Sequence, residues 1–149
     1  MIPRRLALAD MAEAARVHRA AFDARLPWLA SLHTPEEDRT FFQERVFTVC
    51  EVWGVGPPGA LEGFIAWRAG WIDQLYVRPD MQGRGVGVAL LQQAQATEPR
   101  LQLWTFERNT AARRFYERHG FAAAEFTDGA GNEAREPDVR YVWSASGSS

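Results

Sequence analysis

Residues 75–91 read LYVRPDMQGRGVGVALL, and the order of residue types in this stretch decides the fold. Leu75-Tyr76-Val77 ends a β-rich run and Arg78-Pro79-Asp80 breaks it. The glycine cluster Gln82-Gly83-Arg84-Gly85-Val86-Gly87 then opens a segment with Val86, Leu90 and Ala94 on one helical stripe. Strand, glycine turn and helix are therefore expected in that order. Glycines let the backbone turn tightly and let a ligand approach without meeting a Cβ. The first N–H groups of the helix lack partners, and with the helix dipole they form a seat for a pyrophosphate. The alternative reading is a glycine turn that only permits close packing. Two familiar phosphate loops do not fit: GxxxxGK[ST] needs a lysine, and GxGxxG needs glycine at Val88.

Working outward, the upstream chain reads as an antiparallel half. Arg4–Ala9 is expected as a strand, and Asp10 caps a helix on which Met11, Ala14, Ala15, His18 and Phe22 recur at helical spacing. Asp23–Leu32, with Pro27 and Trp28, reads as a loop. Thr34, Pro35 and Glu37 form a capping-box start for a second helix to about Val46. Phe47–Trp53, Leu61–Trp67 and Trp71–Val77 are β-rich, and the short turns between them make a meander.

Downstream, Glu98 and Pro99 stop the glycine-turn helix, and strand and helix then alternate. Leu101–Phe106 is a strand, Asn109–His119 a helix ended by Gly120, and Phe121–Phe126 a strand. A loop, Thr127–Asp138, leads to a closing strand, Val139–Trp143. The expected fold class is α/β, a mixed sheet of about seven strands with four helices and splayed central strands. A single domain covers residues 1–143, and 144–149 form a tail expected to fray. The connection style changes near Val77, and ligands of α/β sheets occupy the crevice at such a point.

Composition removes several chemistries. The 149 residues fit one domain, and the net charge of -2 provides no basic field for nucleic acid. All 17 basic residues are arginine, which excludes a Schiff-base lysine, a P-loop lysine and acetylation of the chain's own lysines. Apart from Ser31, serine occurs only in the terminal SASGSS, and no GxSxG elbow exists. His18, His33 and His119 match no zinc spacing, so no metal is assigned. Cys50 stands alone and reads as a buried strand thiol, and no apolar run approaches a membrane span. A cytoplasmic location with no membrane partner is expected.

Gln82-x-x-Gly85-x-Gly87 resembles the acyl-CoA signature, Q/R-x-x-G-x-G/A, of the GNAT superfamily of acetyl-CoA-dependent N-acetyltransferases. LYVRPDMQGRGVGVALL looks like that family's strand-loop-helix unit. ERNTAARRFYERHGF, residues 107–121, looks like its next one, with Asn109, Phe115-Tyr116 and Gly120-Phe121 in the expected order. The resemblance implies acetyl-CoA as cosubstrate. It places the pyrophosphate on backbone amides of Gln82, Gly83, Arg84, Gly85, Val86 and Gly87, with added charge from the Arg84 side chain. Main-chain groups of Leu75, Tyr76 and Val77 would pair with the pantetheine amides, Asn109 would contact the cofactor arm, and Tyr116 would lie near the thioester sulfur. Asn109 and Tyr116, seven residues apart on one helix, share a face and sit about 10 Å apart along its axis. Asn109 as a plain N-cap and Tyr116 as a packed aromatic are the bland alternatives.

Acetyl transfer needs a neutral amine, and an alkylamine of pKa ~10.4 carries a handicap of roughly 4–5 kcal/mol at pH 7. A carboxylate, directly or through water, is the expected base: Asp73 first, Glu62 next. Tyr116 is the expected acid for the departing thiolate. Acceptor selection is expected from Trp28, Leu29 and His33 and from the Thr127–Asp138 loop. The implied reaction moves an acetyl group to a primary amine of a small molecule or peptide terminus, with a homodimer possible. An acyl-CoA-binding module without turnover and an O-acetyltransferase share the same residues.

Overall fold

The computed structural model describes residues 1–30 and 32–145 and places seven strands in one sheet, ordered β1-β2-β3-β4-β5-β7-β6. β1 (Arg4–Arg5), β2 (Glu51–Val55), β3 (Gly63–Arg68) and β4 (Trp71–Val77) are successive antiparallel neighbours. Beyond them come β5 (Arg100–Phe106), β6 (Ala122–Thr127) and β7 (Asp138–Ser144). β7 lies between β5 and β6 and is antiparallel to both. The expected α/β class, strand number and antiparallel first half are all present.

Four helical rods flank the sheet. α1 is Met11–Arg25, α4 is Val86–Thr97 and α5 is Thr110–Arg118, while α2 (Pro35–Phe41) continues through a π turn, Phe42–Val46, into α3 (Phe47–Val49). Thr34 starts α2 with a reciprocal cap: Glu37 N donates to Thr34 Oγ1 at 3.2 Å and Thr34 N to Glu37 Oε1 at 2.7 Å. β3 shows why both faces must be covered. Its alternate residues Phe64 and Ala66 join Met11, Ala14 and Phe42 in one core, while Ile65 and Trp67 join Leu90, Leu91 and Tyr116 in the other.

Some boundaries differ from the sequence expectation for local reasons. The first strand is only two residues long, because Asp10 accepts from Ala7 N at 2.8 Å and folds residues 8–10 into a 3-10 turn. The Asp23–Leu32 stretch is not all loop, since α1 continues to Arg25 and Pro27–Leu29 forms a 3-10 turn. Helical backbone also replaces the expected strand start at Phe47, where buried Phe42 and Val46 carry the second rod past its expected end. β7 extends through Ser144, which pairs with Arg100, and the rest of the expected tail past Ala145 lies outside the described residues.

The feature that positions the site is a parting of strands. β4 and β5 are parallel and pair only at Trp71 and Gln102. Beyond that point β4 keeps a partner on its β3 side alone. Arg78 N donates to Glu62 O across β3, so by alternation the amide and carbonyl of Val77, and those of Leu75, point toward the parted side.

Candidate functional site

A cavity of about 710 Å³ fills the gap between β4 and β5. Leu75, Tyr76 and Val77 form one wall, and Asn109, Phe115 and Tyr116 of the α5 segment form another. Gln82, Gly83, Gly85 and Gly87 line the end toward α4. Gly83 and Gly85 hold φ of +79° and +88°, where L side chains are strained, and a Cβ at either would meet nothing within 4 Å. The loop is therefore open on its outer side, as a ligand cradle needs. At Gly87 a Cβ would meet Phe115 at 3.3 Å, so this glycine serves the packing of α4 on α5.

Gly85 caps α4, and the first bond across this end runs from Ala89 N to Gly85 O at 3.0 Å. The amides of Val86, Gly87 and Val88 thus lack helical partners. Gln82 pins the loop: its Nε2 donates to Val77 O at 3.1 Å, and its Oε1 accepts from Arg25 at the end of α1. Val86 itself is buried in the core and the Arg84 side chain is outside the lining, so the two contribute main chain and exposed charge at most.

Asn109 caps α5 by accepting from Ala112 N at 3.2 Å while still lining the cavity, so both of its expected roles coexist. Tyr116 is buried, and burial, with Tyr76 nearby, pushes its hydroxyl well above the ordinary tyrosine range. It stays protonated at neutral pH.

A second cavity, of about 600 Å³, adjoins the first, with Phe22, Phe106 and Asn132 shared by both linings. It lies among α1, α2 with the π turn that follows it, β4, the end of β5 and the β6–β7 loop. His33, expected as an acceptor residue, lines it and contacts Glu133 through Nε2 at 2.7 Å, joining the two loops expected to select the acceptor. The Glu133 bond, opposed in part by burial, holds the His33 imidazole above its usual range.

Other expected residues are not brought to either cavity. Asp73 accepts from Arg68 Nε at 2.6 Å and from Cys50 Sγ at 3.5 Å, away from both linings. Glu62 precedes β3 and is also absent from them. Trp28 is exposed, with the Arg108 guanidinium 4.0 Å above its ring, and Leu29 is buried outside both linings. The Cys50 thiol is pushed up to about 12, mainly by burial, and is inert as a nucleophile.

Residues 37–123, more than half of the chain, match the acetyltransferase (GNAT) domain model. The chain belongs to the GNAT family. An uncharacterised N-acetyltransferase of Methanocaldococcus jannaschii is 33% identical over 99 residues, covering 56% of this chain and 42% of that protein. The peptidyl-lysine N-acetyltransferase YiaC of Escherichia coli is 36% identical over 64 residues, 42% of this chain and 44% of YiaC. These matches span less than half the length of either curated relative. The apo form of YjaB from E. coli superposes with a TM-score of 0.79 at 23% identity, over 95% of both chains. The paia N-acetyltransferase of Thermoplasma acidophilum, solved in complex with coenzyme A, gives 0.69 at 20% identity over 95% of this chain and 97% of that one. At such identities the likeness establishes the GNAT fold. Among the described residues no helix is long and apolar enough to cross a membrane, and no cluster of three or more His, Cys, Asp or Glu could hold a metal.

This GNAT domain also carries lining residues that sequence reasoning missed. His18 and Gln74 line the second cavity, and His18 Nδ1 and Gln74 Oε1 are buried without hydrogen-bond partners. His18 lies on the stripe read from the sequence as a buried helix face. The signal was there: toward its C-terminal end that stripe changes from small apolar residues to His18 and Phe22. Gln74 had no signal beyond a polar letter within a strand.

Proposed function

We propose that the chain transfers an acetyl group from acetyl-CoA to a primary amine of a small molecule or peptide terminus, by direct attack in a ternary complex. One observation carries this reading. The unpaired edge of β4, the glycine loop at the head of α4, and Asn109 and Tyr116 of α5 all line a single cavity. What supports a coenzyme A thioester there is the donor set: a free strand edge along one wall and unpartnered amides at the head of α4.

Bound acetyl-CoA supplies a thioester whose carbonyl carbon is the electrophile. The chain's own groups do the rest. Amides of Val86, Gly87 and Val88 bind the diphosphate, and Leu75 and Val77 pair with the pantetheine arm. The Val77 amide, directed into the gap, stabilises the oxyanion. As the amine nitrogen forms its C–N bond and the C–S bond breaks, Tyr116 gives its hydroxyl proton to the departing sulfur and later regains one from solvent. The amine's surplus proton leaves to water. For Asp73 or Glu62 to take it, water must relay it, because neither carboxylate reaches the cavities.

Calorimetry with acetyl-CoA, followed by a thiol-release assay with an amine panel, tests the reading. Binding followed by acceptor-dependent release supports it. Binding without release would leave an acyl-CoA-binding module, and no binding would remove the seat altogether.

A further inference from the structure

Resting on that reading, we infer that the acceptor is a compact primary amine carried on an aromatic body of one or two rings, seated in the second cavity with its nitrogen held by Gln74 and His18. Four phenylalanines, Phe22, Phe41, Phe42 and Phe106, are large apolar groups lining a space of about 600 Å³, within the range of small-molecule sites. Rings meeting rings at offset or edge-on geometry favour an aromatic guest over a flexible alkyl stem. His18 in this wall already meets rings on two sides, Tyr76 behind it edge-on at 4.6 Å and Phe42 tilted at 5.5 Å. The π turn at Phe42–Val46 is the kind of irregularity that often shapes a binding site, and it sets Phe42 into this wall.

The charges in this region are already spent on one another. Arg19 grips Asp38 through Nε at 2.8 Å and Nη2 at 2.9 Å, and Glu133 is engaged by His33 at the exposed rim. No buried, unpaired carboxylate among the lining residues awaits a lysine ammonium. What remains unpaired is neutral. Gln74 Oε1 and His18 Nδ1 have no partners, and buried polar atoms in that state are costly unless a ligand completes them. Burial holds the His18 imidazole down at about 4, so it is neutral at physiological pH and its unpartnered ring nitrogen is available to an amine N–H.

Phe22, Phe106 and Asn132 belong to both linings, so an acceptor in the second cavity lies beside the one that holds Tyr116. The test compares kcat/KM for 2-phenylethylamine and tryptamine with that for an Nα-capped lysine peptide, in the intact chain with saturating acetyl-CoA. A preference of tenfold or more for the aromatic amines supports the assignment, and an equal or greater rate on the lysine peptide overturns it. In the Gln74→Leu variant, KM for the aromatic amines should rise at least tenfold while acetyl-CoA affinity stays unchanged. An unchanged KM removes Gln74 from the site. Turnover of the peptide alone would leave the acetyltransferase reading standing without this substrate class, whereas failure to bind acetyl-CoA would remove both.

Discussion

The two adjoining cavities differ in what they are made of. The first presents main chain: the unpaired edge of β4, amides at the head of α4, and the open space that Gly83 and Gly85 leave. The second presents side chains from five separate parts of the chain, including His18, His33, Gln74, Phe106 and Glu133. A site of main-chain groups is fixed by the fold and keeps its chemistry through most substitutions. A site of side chains changes chemistry with each one, so a single scaffold can keep its donor and vary its acceptor.

The largest effect expected is in the first cavity. Tyr116→Phe should lower turnover by roughly 10²–10⁴-fold, as loss of a general acid does, while acetyl-CoA affinity stays within a few-fold. Comparing steady-state rates with calorimetry checks both halves, and near-normal turnover would take Tyr116 out of the chemistry. For the second cavity, pH is the sharper probe. His18 is neutral in the fold down to about 4, against an ordinary 6.5, so the unfolded chain binds the extra proton first. The stability this provides is present above pH 6.5 and is lost as pH falls toward 4, by about 3 kcal/mol in all. Urea midpoints across that range should show the slope in the parent chain and a flatter one in His18→Phe.

Gly85→Glu probes the first cavity. The substitution combines a left-handed backbone penalty of roughly 1–3 kcal/mol with a charge repelled by phosphate, and should weaken acetyl-CoA binding at least about a hundredfold. Retained affinity in calorimetry would mean that the glycine loop does not face the diphosphate. The smallest effect belongs to Asp73→Asn. With Asp73 spent on Arg68 and outside both linings, acceptor turnover should stay within about threefold, the scatter of a surface change. A drop of two orders of magnitude would restore Asp73 as the base.

The contrast between the cavities also explains what could be read from the sequence. Main-chain sites need glycines at fixed intervals beside a strand and a helix, and Gln82 to Gly87 announce such a place in one contiguous stretch. The order of strands and helices was equally legible, because period-2 and period-3.6 patterns are local. Side-chain sites are assembled by the fold, and nothing in the residues around Gln74 shows that His18, 56 positions earlier, lies across a cavity from it. Asp73 was a reasonable choice by residue type alone. Its neighbours Arg68 and Cys50 come to it through the β3–β4 turn and the chain entering β2, which the sequence shows as separate segments.

The sheet is stitched across its middle at one register pair, Trp71 with Gln102. A molecule lying along the free side of β4 would therefore serve as a missing rung between the two halves, and its departure would leave that seam held at one end.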